Sequence, residues 1–326
     1  MLDELEPLAA SPTAYAFVAV LGLLWGSFAN VCIYRWPPTE AHPHGRSVVL
    51  PGSHCFACKA PIRWYDNVPL ASWLWLRGRC RACKAPFSAR YLIVEALTGL
   101  LFALAWWSTT SHVPAEVRGM FHAEPFDARL LRFGIYAAFS FVMVVITFID
   151  LDHKLILNKV TVPSIVGFYG LGLLLPGRSW AGGLVGIVVG YGVPWAIGEA
   201  YYRLKGREGM GLGDGMLLAV VGALFGWEGV LVSLFGGAII GSVITIPAFV
   251  IARRRGKPAA GEVAAEEVAP DTTPTDHQDH DHDGGRDDSS SLRYAELPFG
   301  PFLAMAAVFY LQAEPWISMY FRFAGG

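Results

Sequence analysis

Runs of about 20 apolar residues recur along the whole chain, and they restrict its fold more than any other feature. Hydrocarbon offers no water to backbone N–H and C=O groups, so a crossing segment must satisfy them internally. Runs of this length read as transmembrane helices. Eight are expected, at about 14–34, 91–110, 130–149, 157–176, 181–202, 215–227, 229–252 and 297–318. The 215–227 run is the shortest and is rich in glycine. Composition agrees: 54% of residues are hydrophobic and 16% charged, against roughly 25% charged in a soluble domain. The expectation is an all-α polytopic membrane protein. The first run lacks a basic flank and a small-residue cleavage site, so it reads as a retained span and not a signal peptide. Gly182, Gly183, Gly186 and Gly190 suit close helix packing in lipid.

Basic residues set the expected orientation. Segment 35–90 carries nine of them, from Arg35 to Arg90. Lys154, Lys159, Arg203, Lys205, Arg207 and the run Arg253–Arg255 fall on the same side of an eight-span arrangement. About 20 of the 25 Lys and Arg then share one side, which the positive-inside rule makes cytoplasmic. Both termini fall on the opposite side. The formal net charge of -2 gives no reason to expect nucleic acid as a partner. Membrane lipid is the surrounding medium, and oligomeric state is not legible.

The expected organisation is a first span at 1–34, a cysteine-rich segment at 35–90, a membrane core at 91–252, a polar loop at 253–296, and a last span and tail at 297–326. Within the loop, residues 256–291 have almost nothing to bury and read as disordered. Their run Asp276–Asp283 holds three histidines and could bind divalent metal loosely, though a solvated linker is the plainer reading. No internal repeat is visible.

Four of the five cysteines form two Cys-x-x-Cys pairs, Cys55/Cys58 and Cys80/Cys83, separated by 21 residues. Each pair places two thiolates on one tight turn, and two such turns complete the tetrahedron that zinc prefers. Lys59-Ala60-Pro61 and Lys84-Ala85-Pro86 follow at identical offsets, as two equivalent knuckles would require. A disulfide pairing or an unmetallated site is the competing reading. Four thiolates leave no open coordination position, so a zinc here is expected to be structural and the segment a small zinc-ribbon-like domain. Cys32, alone in an apolar run, reads as a buried apolar residue.

Two acidic motifs stand at helix ends. Phe148-Ile149-Asp150-Leu151-Asp152 closes one apolar run, and Gly209-Met210-Gly211-Leu212-Gly213-Asp214 opens another. Carboxylates at such positions are costly and mark functional candidates. Two held close together share a proton, so one acts as base toward water and the other as acid toward a carbonyl or leaving amine. Asp150 and Asp214 are the expected pair. Gly211 and Gly213 would let the backbone turn sharply and a peptide approach closely. Asp152 competes with Asp150, because residues i and i+2 do not share a helix face. The alternative is that these aspartates cap helices or pair with Lys154 and Arg207. Glu208 precedes the glycine turn and could tune its charge. Glu95 lies inside the second span, as a functional acid or a structural partner.

These motifs, taken in order, resemble those of the type IV prepilin peptidases, the bifunctional leader peptidases and N-methyltransferases of pilus and type II secretion systems. The resemblance runs over nearly the whole chain: Gly26–Arg35, both cysteine pairs, Pro61–Pro69, Arg77–Cys80, Arg90–Gly99, the two aspartate motifs, and Leu297–Phe302. It implies a GxGD aspartic endopeptidase at the cytoplasmic face of the inner membrane, acting on prepilins or pseudopilins. Cleavage would follow the glycine that ends a short basic leader. By position, Asp150 and Asp214 match the family's catalytic pair and Asp152 a less essential neighbour. The resemblance also implies N-methylation of the new amine by S-adenosylmethionine. The chain shows no Rossmann-type glycine loop, so methyl transfer rests on the resemblance alone. The chain departs from the family pattern at Leu157, where proline is usual, and at Gly215 and Met216, where a bulky residue and lysine are usual. The 256–291 segment reads as an insertion. Two other readings stay open: a peptidase whose cysteine-rich segment is purely structural, and a zinc-linked transporter or scaffold without hydrolytic activity.

Overall fold

The computed structural model describes residues 6–110, 125–206, 211–254 and 298–324. Among these the chain is helical, and no strand forms beyond isolated bridges. The long helices are α1 (Pro12–Arg35), α2 (Arg90–Thr110), α3 (Phe126–His153), α4 (Asn158–Gly172), α5 (Trp180–Lys205), α6 (Leu212–Arg254) and α7 (Gly300–Ala324). Local sequence explains several ends. Ser11 caps α1 by accepting from the Ala14 N–H at 3.2 Å, with Pro12 in the first turn. Ser179 caps α5 through the Gly182 N–H at 2.9 Å, and Gly206 ends it in a left-handed conformation. Lys154 takes the same conformation just past α3, its N–H returning to the Asp150 carbonyl at 2.8 Å.

All eight expected apolar runs fall wholly or mostly on helices, the 157–176 run only as far as Gly172. Five helices are long and apolar enough to cross a membrane: α1, α2, α3, α5 and α6 as far as Ile251. The expected 215–227 and 229–252 spans are the two helical parts of α6, which meet at a break at Gly226 (φ 73°). A straight helix of 43 residues would be about 65 Å long, twice a hydrocarbon core of about 30 Å. The Gly226 break is what divides it. The other two runs are helical without meeting that criterion. α4 has only 15 residues, about 22 Å. α7 carries Gln312, Glu314 and Arg322 among its apolar residues. The expected 253–296 loop lies outside the described residues apart from Arg253 and Arg254, which end α6, and Glu208 also lies outside them.

α3 is the hub. Tyr136, Phe139, Met143 and Ile146 face one core with the first half of α6, α4 and α7. Ala137, Phe141, Val144 and Ile149 face a second core with α1 and α2. The first set and Ala137, Phe141 and Val144 of the second follow helical spacing, so two stripes of one helix are buried against two groups of partners. Phe139 and Phe225 meet edge to face at 5.2 Å, and Phe225 meets Tyr310 at 5.3 Å, which locks α3, α6 and α7 around the residue that precedes the break.

Glycines let α5 approach α6. A Cβ on Gly186 would overlap the Gly222 carbonyl, and one on Gly190 would lie 2.6 Å from the Leu218 carbonyl carbon. Nothing lies within 4 Å of a Cβ added at Gly134. Gly186→Leu is therefore expected to destabilise the bundle by about 1–3 kcal/mol. Gly134→Ala should stay within about 0.5 kcal/mol of the parent. Thermal melts in detergent check this, and a Gly186→Leu protein that melts like the parent would refute the close α5–α6 contact.

Candidate active site and metal centre

Asp150 sits in the last turn of α3, 5% exposed. The Gly300 backbone N–H, at the start of α7, is directed at its carboxylate. A Cβ on Gly300 would overlap the Asp150 oxygen and lie 3.3 Å from Ile156 Cδ1. Asp214 lies in the first turn of α6, where its own N–H donates to the Gly211 carbonyl at 3.1 Å. Gly213 packs against the same Ile156, 3.0 Å from its Cβ to an added Cβ. Asp214 is close enough to Asp150 to feel its charge. Two carboxylates from different helices thus converge beside Ile156 at one end of the bundle. Such a pair can exchange a proton and act as acid and base.

Asp152 goes elsewhere. It forms an ion pair with Arg90 at the start of α2, whose guanidinium also donates to the Phe148 carbonyl at 3.0 Å. The i, i+2 spacing leaves only Asp150 on the side of Asp214. Gly215, in place of the bulky residue usual in the resembling family, lies 3.2 Å from the Tyr191 carbonyl of α5, measured from an added Cβ.

Glu95 is buried and stands apart from the aspartate pair. It accepts from the Leu70 N–H at 2.8 Å and from Ser27, so it ties the cysteine-rich segment to α1 and α2. Sequence reasoning missed the other ties at this end. Asn30 donates to the Tyr91 carbonyl at 3.1 Å. Arg35 donates to the Ser47 and Pro51 carbonyls at 2.9 and 2.6 Å, and Lys159 to the His44 carbonyl at 3.1 Å. It also missed Glu314 of α7, which accepts from Arg178 at 2.6 Å and from Tyr136 toward the other end of α3. Only the acid in an apolar run could have signalled that cluster.

The cysteine segment forms two matching knuckles. Cys55 N–H donates to the Ala60 carbonyl at 2.9 Å and Lys59 N–H to the Cys55 carbonyl at 3.0 Å; Cys80/Ala85 and Lys84/Cys80 repeat these bonds at 2.8 and 3.0 Å. Lys59 and Lys84 both take positive φ. The four sulfurs lie within 4.8 Å of one another, with Cys55–Cys83 at 3.7 Å and Cys58–Cys80 at 4.0 Å. A tetrahedron with Zn–S bonds of about 2.3 Å has S–S edges of about 3.8 Å, so the donor set fits a metal ion. All four cysteines are free, at distances far longer than a disulfide. The Cys58 N–H aimed at Cys55 holds that thiol down to about 6. The Ala85 N–H pulls Cys83 down, but desolvation and the other three thiols together push it up to about 11. A coordinated cation deprotonates such thiols. Cys32 is buried in the core with α2 and α3, as its surroundings predicted.

Residues 20–109 match the model described as the bacterial peptidase A24 N-terminal domain, and residues 137–246 match the type IV leader peptidase family. A prepilin leader peptidase/N-methyltransferase of Aeromonas hydrophila is 36% identical over 256 residues, 71% of this chain and 80% of its own. Proteins with the same description from Stutzerimonas stutzeri and Neisseria gonorrhoeae are 34% and 33% identical. They match over 74% and 72% of this chain, and over 86% and 82% of their own. No solved structure matches the chain. With relatives at this identity over four-fifths of their length, and with family models matching both 20–109 and 137–246, the chain belongs to the type IV leader peptidase family.

Proposed function

We propose that the chain is a membrane-embedded aspartic endopeptidase that removes the leader of type IV prepilins or pseudopilins and methylates the new N-terminal amine. The convergence of Asp150 and Asp214 from two helices, in a chain of this family, carries the reading. One carboxylate takes a proton from water as the oxygen attacks the scissile carbonyl; the other protonates the departing amine. Asp152, held by Arg90, stays outside this exchange. Gly300 fixes the Asp150 carboxylate through its N–H, Gly213 lets α6 pack close on Ile156, and Gly211 leaves the space beside the Asp214 carboxylate free of a side chain.

The basic residues of 35–90, with Lys154 and Lys159, support a cytoplasmic position for the aspartates at the inner membrane by the positive-inside rule. Cleavage after the glycine that ends a basic leader fits that placement, since the leader stays in water and the apolar helix behind it stays in lipid. Cys55, Cys58, Cys80 and Cys83 would hold a structural zinc, whose chemistry is to pin the two knuckles together. S-adenosylmethionine supplies the methyl group.

An in vitro assay with a glycine-ended type IV prepilin tests the peptidase. Asp150→Asn and Asp214→Asn should each lower cleavage by about 10³-fold or more while the protein still inserts and melts normally. Cleavage at the parent rate by either variant would mean that the pair is wrong. Gly300→Ala should also lower cleavage, since its methyl group displaces the Asp150 carboxylate. For the cysteines, elemental analysis should find one zinc per chain in the parent and a deficit in Cys58→Ser and Cys83→Ser. Those variants should lose methylation about tenfold or more and cleavage much less. Equal loss of both in well-folded protein would count against a separate role for this segment.

A further inference from the structure

A cavity of about 420 Å³ lies between the cysteine-rich segment and the ends of α1 and α2. Its size is within the roughly 300–1,000 Å³ of small-molecule sites. Three features give it chemical character. Glu95 closes its inner end, buried and already accepting two hydrogen bonds, with capacity for more on a carboxylate that has about four acceptor sites. Flat rings line it: Phe56, Trp73, Phe87 and Tyr91. The indole N–H of Trp73 is buried there without a hydrogen-bond partner. Such an orphan donor calls for an acceptor. Gly78, at positive φ, brings the backbone flat onto that indole, where an added Cβ would lie 2.8 Å from Cζ2.

The charge is arranged along the cavity. Arg63 and Arg81 of its wall both lie over the Tyr65 ring, and Asp66 is matched by Arg81 at 2.6 Å, so the arginines of the wall, Arg35, Arg63, Arg79 and Arg81, outnumber its acids, Asp66 and Glu95. The ligand that fits is flat and heteroaromatic, with acceptors for an indole N–H, a cationic centre for Glu95 and a carboxylate for arginine. Aromatic faces add attraction for a cation. An adenosyl amino acid with a sulfonium centre has all four. The inner end also faces the right place: Tyr91 follows Arg90, which grips Asp152 and the Phe148 carbonyl beside Asp150.

We propose that this cavity holds the methyl donor, S-adenosylmethionine, an inference that rests on the methyl-transfer reading above. In the transfer, the amine lone pair forms the C–N bond, the C–S pair returns to sulfur to leave a neutral thioether, and the amine releases a proton to water. The second knuckle contributes Cys80 to the cavity wall, which makes the cavity depend on the metal centre.

Equilibrium dialysis of labelled S-adenosylmethionine against the full chain in detergent tests the assignment without reading catalysis. Trp73→Phe keeps the ring and removes the N–H; Glu95→Gln keeps an acceptor for Leu70 and removes the charge. Each should weaken binding about tenfold. Asp214→Asn should bind like the parent, because it lies outside the cavity. Ultraviolet cross-linking of the bound label should map to peptides holding Trp73 or Tyr91, which decides the matter if either variant folds poorly. Parent-like binding by both folded variants, or a cross-link elsewhere, overturns the cavity assignment while methylation persists in the parent. A parent that cleaves prepilin but neither binds nor transfers the label overturns the methyl-transfer reading itself, and the cavity assignment with it.

Discussion

Everything at the aspartate end depends on α3 being covered on two sides at once. Lipid tails are as apolar as leucine, so apolar burial does not drive helices together in a bilayer; close packing and internal polar contacts must do so. α3 meets that demand with two sets of residues, Tyr136–Phe139–Met143–Ile146 against α4, α6 and α7, and Ala137–Phe141–Val144–Ile149 against α1 and α2. A helix held on both faces cannot rotate or slide without disturbing two cores. Asp150, one residue beyond Ile149, inherits that rigidity, and the Gly300 N–H of α7 sets the remaining freedom of its carboxylate. Asp214 enters from α6, which packs on the opposite side of the first core. The acid pair is therefore a product of tertiary packing between α3, α6 and α7.

The cysteine-rich segment is tied to this frame by polar bonds that cross long sequence distances. Glu95 reaches Leu70, Arg35 gathers Ser47 and Pro51, and Lys159 reaches His44. Hydrogen bonds to charged groups are individually worth about 1.5–3 kcal/mol, so several together hold a small domain that has little apolar core of its own. The paired cysteine knuckles, with their matching backbone bonds, shape the domain internally, and the long-range polar bonds fix where it sits. Arg90 joins the two systems, because it belongs to the entrance of α2 and grips both the Phe148 carbonyl and Asp152.

The parts legible in the sequence were those encoded by spacing and local composition. Apolar run length marked the helices, the repeated Cys-x-x-Cys-Lys-Ala-Pro marked the knuckles, and acids at run ends marked the aspartates. What stayed hidden depended on contacts or on single backbone angles. Gly226 looked like one glycine among many, and only its positive φ shows where the apolar stretch 212–254 divides into the expected 215–227 and 229–252 spans. α4 is shorter than its apolar run because the helix stops at Gly172, while Leu173 and Leu174 continue as a turn. The choice between Asp150 and Asp152 was open from periodicity and is separated by Arg90, an ion pair across 62 positions. Glu95 could be singled out as an acid in an apolar run, but its partner Leu70 donates through the backbone, which no side-chain pattern records.

The shared end of the bundle also answers a problem of reach. A peptidase acting where a polar leader meets an apolar helix leaves its product's amine tethered to a helix that prefers lipid. Moving that amine far from the bilayer surface would drag apolar residues into water, at about 0.8 kcal/mol for each CH₂ exposed. A methyl donor held far out in the cytoplasm would therefore meet the amine only at a steep cost. A donor site seated on the ends of α1 and α2, and joined through Tyr91 and Arg90 to the end of α3, avoids that cost. Glu95, Arg35 and Arg90 are on this account more than anchors for a peripheral domain: by holding it against the membrane end of the bundle, they keep the second reaction within the short range over which the first product can move.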